Sequence, residues 1–235
     1  MKKIVQPLLV LLILICFCNC EKNKVDPVVD LDGNVYKTVI IGSQEWFAED
    51  LKTTKYNDGT SIPLVTGNSA WGALSTPAYC WYDNNEAVYK GEYGALYNWY
   101  AVETGKLCPD GWHVSTDSDW KQLEMFLGMS QSDADKEGFF RGTNEGGKLK
   151  ESGTTHWEDS SEGATNETGF TAVAGGLRHY NGVLYDDIGY GVNYWCSNEC
   201  DNDLGWRRYI HYSDDDIWRD CQYKRYGFSV RCIKD

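Results

Sequence analysis

Residues 108–120 read CPDGWHVSTDSDW and contain the clearest helix start in the chain. Thr116 can cap this helix, and Asp119, three residues later, supplies a partial capping box. Gly128 stands where such a helix would stop. Between these ends, apolar residues recur at helical spacing and form one stripe: Trp120, Leu123 and Leu127. The stretch therefore predicts an amphipathic helix that packs one face against a core.

Short β-branched and aromatic runs precede this helix. Residues 34–41 (NVYKTVII) predict a strand, residues 45–47 (EWF) the start of a second, and residues 78–83 (AYCWYD) a third. Residues 93–103 place apolar side chains at helical spacing, and Gly105 follows in the stop position. We expect a first helix there.

The second half of the chain is different in composition. Residues 129–194 are rich in Gly, Ser, Thr and Asn and predict long loops with small strands. Residues 206–212 and 217–223 predict a hairpin around an acidic turn, and residues 227–233 (GFSVRCI) alternate like a terminal strand with one buried face. Strands, two helices, long loops and strands again indicate an α+β fold.

The first residues are typical of a bacterial lipoprotein signal. An apolar run at 8–18 follows two lysines; it is too short to span a bilayer but has the length of a signal-peptide core. The run ends in FCNCE, and a cysteine at the exit of an apolar core resembles a lipobox. We predict that residues 1–19 are removed, that Cys20 carries the lipid, that residues 20–30 form a tether, and that residues 31–235 form one domain. The partner of the anchor is then outer-membrane lipid, with the domain on the cell surface; the periplasmic face is the alternative.

Composition narrows the possible partners. The formal net charge of −13 argues against nucleic acid, whose phosphates require a basic surface. Ten Trp, sixteen Tyr and seven Phe form an unusually dense aromatic set. Core packing is the favoured use of these rings, and stacking on sugar rings is the alternative.

Five stretches together resemble a known family, the Fibrobacter succinogenes major paralogous domain, which occurs on exported lipoproteins of the Bacteroidetes and Fibrobacteres. They are GALYNWYA at 94–101, CPDGWHV at 108–114, GGKLK at 146–150, GFTA at 169–172 and YGFSVRC at 226–232. The resemblance implies a C-type lectin-like fold with two helices, small antiparallel sheets and long loops. The family has no established activity, so the resemblance implies a fold and a location rather than a mechanism.

Six cysteines lie beyond Cys20, an even number that suggests disulfides in an exported chain. The resemblance implies that Cys108 pairs with Cys232, because the lectin-like fold links a cysteine near the helix to one in the last strand. For the remaining four we favour Cys200–Cys221 and Cys80–Cys196, with Cys196–Cys200 as the rival pairing.

Metal binding and catalysis have little support. No cofactor is expected; calcium is the one candidate, yet the calcium motifs of sugar-binding C-type lectins are absent. The best remaining oxygen-rich cluster is Glu199, Asp201 and Asp203. None of the four histidines lies in a recognisable catalytic triad, and His113 is interpreted as a packed structural residue. We expect no catalysis.

These observations favour a lipid-anchored binding module without enzymatic activity, with a glycan or a surface protein as its partner. An enzyme related in fold to formylglycine-generating enzymes and a purely structural coat protein are the alternatives. We expect the ligand on the long-loop face between about 140 and 205, where loops vary the surface. The candidate contact residues are Trp157, His179, Tyr180, Tyr185, Tyr190 and Trp206.

Overall fold

Small antiparallel sheets and short helices follow one another through residues 27–158, 163–184 and 187–235, which the computed structural model describes. The α+β prediction is confirmed. The predicted signal peptide, Cys20 and Tyr185 lie outside the described residues. Within the described ranges, no helix is both long and apolar enough to cross a membrane.

Eleven strands are present in the described residues. They are β1 (Val28–Val29), β2 (Val35–Tyr36), β3 (Thr38–Ile41), β4 (Gln44–Phe47), β5 (Tyr79–Cys80), β6 (Leu96–Tyr97), β7 (Trp112–Val114), β8 (Gly191–Asp201), β9 (Leu204–His211), β10 (Trp218–Tyr223) and β11 (Cys232–Lys234). β3, β4, β11 and β7 form a four-stranded sheet in that order, and β10, β9 and β8 form a three-stranded sheet. β1 pairs with β2 and β5 pairs with β6 as two-stranded ribbons.

The helices are short. They are α1 (Asn68–Gly72), α2 (Glu86–Tyr93), α3 (Trp99–Val102), α4 (Asp117–Phe126), α5 (Gln131–Ala134) and α6 (Glu145–Leu149), with a 3₁₀ turn at Tyr82–Asn84. The predicted helix after Thr116 is α4, and its capping box is complete: the Thr116 hydroxyl accepts from the Asp119 N–H, and the Asp119 carboxylate accepts from the Thr116 N–H.

The prediction of one helix over residues 93–103 is wrong. Gly94 has φ +67°, and a Cβ at this position would lie 2.7 Å from the carbonyl oxygen of Leu51. The chain then forms β6, and Asn98 starts a new helix by accepting from the Ala101 N–H. The same Asn98 oxygen accepts from the Ala78 N–H at 3.0 Å, so long-range contacts replace the continuous helix.

Two other predicted boundaries differ. The hairpin around residues 213–216 is present as β9 and β10, but β8 begins at Gly191, inside the stretch expected to be loop. Residues 191–196 are all buried, so the strand has no polar alternation to reveal it. The strand predicted over residues 227–233 is shorter in the structure, where only β11 forms a regular strand. Phe228 and Val230 are nevertheless buried, as expected.

Aromatic rings form much of the core, as the favoured interpretation of the composition predicted. Trp46, Trp120 and Phe170 pack edge to face with ring centres 5.3–5.7 Å apart. The tryptophans among the largest fully buried side chains are Trp46, Trp71, Trp81, Trp120 and Trp195.

A buried charge cluster fixes the inner face of β9. Glu124 of α4 accepts from Arg141 Nη2 at 2.8 Å and from Arg208 Nε at 2.6 Å, and all three side chains are fully buried. A buried charge without a partner is strongly destabilising, so this cluster holds Arg208 against α4. Because side chains alternate along a strand, the neighbours Arg207 and Tyr209 point to the opposite face of the sheet.

A candidate ligand-binding face beside the three-stranded sheet

Two disulfides are present in the described residues, one of them in the three-stranded sheet that carries the candidate site. Cys108 and Cys232 are bonded with Cα atoms 6.0 Å apart, as the resemblance implied, and Cys200 and Cys221 are bonded with Cα atoms 6.2 Å apart. The second bridge joins the end of β8 to β10, the two outer strands of the three-stranded sheet.

The predicted Cys80–Cys196 pair is wrong, and so is its rival, Cys196–Cys200. Both Cys80 and Cys196 are free and buried. They lie in different core clusters, with Cys80 beside Trp71 and Cys196 beside Ile210. Burial raises the thiol pKa of Cys80 to about 11 and that of Cys196 to about 12. Both thiols are therefore protonated at neutral pH.

The structure does not bring all the predicted ligand residues together. Trp157 is 3% exposed and donates its Nε1–H to the Ala172 carbonyl, so it is a core residue. Trp206 is partly exposed, and the guanidinium of Arg219 lies 3.8 Å from its ring centre. The Trp157 prediction is wrong, because tertiary packing rather than local sequence decides which ring reaches the surface, and Trp206 stays a prediction.

The proposed calcium cluster is not assembled. Glu199 pairs with Lys224, and the Asp201 carboxylate accepts from the backbone N–H groups of Asp203 and Leu204. The Asp201 carboxylate therefore stabilises the β8–β9 turn. In residues 27–158, 163–184 and 187–235, no group of three or more His, Cys, Asp or Glu side chains could hold a metal ion.

His113 also differs from expectation, since its side chain is partly exposed rather than packed. Its Nδ1 lies 2.7 Å from Asp235 Oδ1 and its Nε2 lies 3.2 Å from Asp119 Oδ2. Hydrogen bonds with Asp119 and Asp235 raise the pKa of His113, and the bond with Asp119 has the larger effect.

His179 and Tyr180 are close together and belong to a larger group that we call the tyrosine cluster: His179, Tyr180, Tyr223 and Tyr226. The ring centre of Tyr180 lies 5.0 Å from that of Tyr223 and 5.4 Å from that of Tyr226. None of the four is fully buried. The spacings are those of favourable aromatic pairs, so the rings hold one another in fixed orientations.

A second group, the tryptophan cluster, lies at the other end of β10: Phe139, Phe140, Tyr209, His211 and Trp218. Its ring centres are 4.8 Å apart between Phe139 and Phe140, 5.1 Å between Phe139 and Trp218, and 5.2 Å between Trp218 and Tyr209. The predicted contact residue Tyr190 lies at the edge of this cluster: its ring centre is 5.3 Å from that of Tyr212, which is 4.6 Å from that of His211.

Arg207 connects the two clusters. Its guanidinium carbon lies 5.2 Å from the ring centre of Tyr209 and 5.6 Å from that of Phe228, and Phe228 in turn lies 5.1 Å from Tyr226. The same guanidinium bonds to the carboxylate of Asp220 and to the side-chain oxygen of Asn193. We call the two clusters with this ion pair the aromatic face. Trp218 of one cluster and Tyr223 of the other lie at opposite ends of β10, with Asp220 between them. Phe228, which links Arg207 to Tyr226, is itself fully buried.

The backbone conformation of Phe140 directs its ring into solvent. Its φ is +60°, an unfavourable conformation for a residue with a side chain, and the ring is 81% exposed. The Phe140 N–H donates to Asp216 Oδ2 at 2.6 Å, and Asp216 belongs to the β9–β10 turn. Burial raises the pKa of Asp216.

Sequence reasoning missed Arg207, Trp218 and the Phe139–Phe140 pair. The available signal was two adjacent phenylalanines inside a Gly-rich, charged stretch, GFFRG at 138–142. Strand alternation is a second available signal, because it places Arg207 and Tyr209 on the same side of β9.

A family model described as the Fibrobacter succinogenes major domain matches residues 39–234. The search of curated proteins and the search of solved structures found no match. The C-type lectin-like fold therefore stays a prediction.

Proposed function

The chain belongs to the Fibrobacter succinogenes major domain family, and we propose that its domain is a non-enzymatic binding module, held at the outer membrane by lipid on Cys20. The ligand we propose is a neutral glycan that lies along the aromatic face. One observation carries this proposal: two clusters of partly exposed rings lie on either side of the Arg207–Asp220 ion pair.

The aromatic side chains suit a sugar ligand. Rings such as Tyr180 and Trp218 offer flat apolar surface at low entropic cost, and their neighbours already hold them in place. β10 separates the two clusters, and its length from Trp218 to Tyr223 is about 17 Å at the usual rise per residue. A ligand that contacts both clusters is therefore extended.

The polar groups between the clusters suit hydroxyl recognition. Arg207 offers fixed donors and Asp220 offers acceptors, and Gln222 donates to Asp220 Oδ2 at 3.2 Å beside them. The net charge of −13 disfavours acidic polymers, so a neutral glycan is the better match. Aromatic residues and arginine are also enriched in protein interfaces, which makes a protein partner the competing outcome.

A glycan array probed with the full-length lipoprotein in detergent tests the proposal. We expect binding to neutral oligosaccharides that is lost in Tyr180→Ala and in Trp218→Ala. Phe126→Ala is the matched control, because Phe126 is exposed but lies on α4, outside both clusters. An array without any bound glycan, or equal losses in all three variants, contradicts the proposal. Saturable binding of one purified surface protein that Tyr180→Ala abolishes would favour a protein ligand instead.

The anchor has a separate test. Cys20→Ala should abolish incorporation of labelled palmitate and leave the protein unprocessed or released. Undiminished labelling in this variant would show that Cys20 is not the lipidated residue.

A further inference from the structure

The first described element carries an apolar surface on its outer side. In the β1–β2 ribbon, Val29 lies directly across from Val35, and Leu31 lies in the connecting turn. These side chains are 48%, 54% and 56% exposed, respectively. The other side of the ribbon faces inward, where Tyr36 is buried in a core cluster and Val28 packs against it. The ribbon therefore has one side in the core and one aliphatic side in solvent.

Hydrogen bonds hold the ribbon and its turn in place, so the side chains on its outer side have fixed positions. Asp30 accepts from the backbone N–H groups of Asp32 and Asn34 and from the Tyr36 hydroxyl at 2.7–2.9 Å. Asp32 accepts from the Thr54 hydroxyl at 2.9 Å and thereby fastens the turn to the next segment. Three large aliphatic side chains are thus held in water at fixed positions.

A cavity of about 470 Å³ adjoins the ribbon. Val29 and Leu31 contribute to its wall together with Leu107 and Trp112. The two lysines that also line it are paired with carboxylates, Lys55 with Asp32 at 3.1 Å and Lys234 with Glu45 at 2.8 Å. The cavity wall also carries the acidic residues Asp30, Glu45 and Asp110, so the aliphatic surface here is confined to the ribbon itself.

The length of the tether limits the distance between this surface and the proposed lipid anchor. Only residues 21–26 separate Cys20 from Pro27, and seven residue steps span at most about 25 Å when fully extended. A lipid on Cys20 would therefore keep the ribbon close to the bilayer at all times. Such tethering makes even a weak contact effective, because the local concentration of the surface is high.

We infer that the outer side of the β1–β2 ribbon, formed by Val29, Leu31 and Val35, rests in the interfacial region of the bilayer beside the anchor. This inference rests on the proposed lipid anchor. The contact orients the domain on the membrane. It is too small to bind a membrane by itself, so a Cys20→Ser protein should remain in solution when mixed with vesicles of the same lipids.

A nitroxide label on Leu31→Cys tests the contact in the lipidated protein on zwitterionic phospholipid vesicles. The introduced thiol is the reactive one among the described cysteines, since Cys80 and Cys196 are buried and the others form disulfides. Val88→Cys is the matched control, because Val88 is an aliphatic residue 58% exposed on α2. Val35→Cys gives a second label on the ribbon if the first variant folds poorly.

The measurement is the ratio of collision rates with oxygen and with a water-soluble nickel complex. We expect this ratio to be several-fold higher at position 31, and at position 35, than at position 88. Equal ratios in protein that carries labelled palmitate overturn the membrane contact and leave the anchor intact. Absence of palmitate overturns the anchor and, with it, this inference.

Discussion

Arg207 and Asp220 form a two-point ion pair across β9 and β10, with Nε 2.6 Å from Oδ1 and Nη2 3.1 Å from Oδ2. The two residues are direct partners in the strand register. Their position between the two aromatic clusters makes them the polar centre of the proposed glycan site.

Arg207→Lys should therefore weaken glycan binding more than it weakens the fold. Lysine keeps the charge but loses the fork that reaches Asp220 at two points and Asn193 as well. We expect about a tenfold loss of affinity, the equivalent of roughly 1.4 kcal/mol, and a small change in melting temperature because the pair is partly exposed. Calorimetric titration and thermal unfolding measure the two quantities. A large fall in melting temperature with unchanged affinity would assign the pair a structural role only.

Phe140→Gly should stabilise the protein while weakening binding. Glycine tolerates φ +60° without strain, so we expect a gain of up to about 1 kcal/mol in the free energy of unfolding. The exposed ring is lost, so glycan affinity should fall. Phe140→Ala is the control, because it removes the ring but keeps the strained backbone. A gain in stability in both variants would show that the ring itself, not the backbone, is unfavourable.

His113 and His211 should make opposite contributions to the pH dependence of stability. Hydrogen bonds to Asp119 and Asp235 raise the pKa of His113, so its stabilisation is complete below its unfolded pKa and is lost as pH rises through the raised value. Burial lowers the pKa of His211, so its contribution is present above its unfolded pKa and is lost as pH falls.

Chemical denaturation of His113→Gln and His211→Gln between pH 5 and pH 8, a range around the ordinary histidine pKa, tests this pair. His113→Gln should be destabilised more at the acid end, by less than about 1 kcal/mol because the side chain is partly exposed. His211→Gln should lose less stability than the unaltered protein as the pH falls. The same pH slope in both variants would contradict these assignments.

The two disulfides should differ in their effect on stability. Cys108–Cys232 closes a separation of 124 residues and Cys200–Cys221 one of 21. The chain-entropy model assigns them roughly 5 and 3 kcal/mol as upper values. The double alanine variant of the first pair should therefore unfold at lower denaturant than that of the second. Non-reducing peptide mapping checks the pairing, and recovery of Cys108 and Cys232 in separate linked peptides would contradict it.

Features with a local cause were predictable from the sequence. The capping box at Thr116 and Asp119 is satisfied within four residues, so α4 was found. The β9–β10 hairpin was found because its turn and its strands are contiguous. The Cys108–Cys232 pair followed from family resemblance, since its members are far apart in the chain.

Features decided by distant contacts were not predictable. Gly94 and Asn98 interrupt a helical pattern because Leu51 and Ala78 lie against them. The first half of β8, residues 191–196, lacks alternation because both of its faces are covered. Trp157 and Tyr180 are both aromatic residues in the stretch predicted as loops, and nothing in their local sequence distinguishes them. In the structure the Trp157 ring is buried, whereas the Tyr180 ring belongs to the aromatic face.

The dependence of affinity on glycan length tests the central proposal most directly. A ligand that lies along the aromatic face must reach from Tyr180 to Trp218, so affinity should rise with the number of sugar units until both clusters are contacted and then level off. In Trp218→Ala, affinity should level off at a shorter chain, whereas Phe126→Ala should behave like the unaltered protein. Affinity that is independent of chain length, or length dependence that Trp218→Ala leaves unchanged, would contradict an extended glycan site on this face.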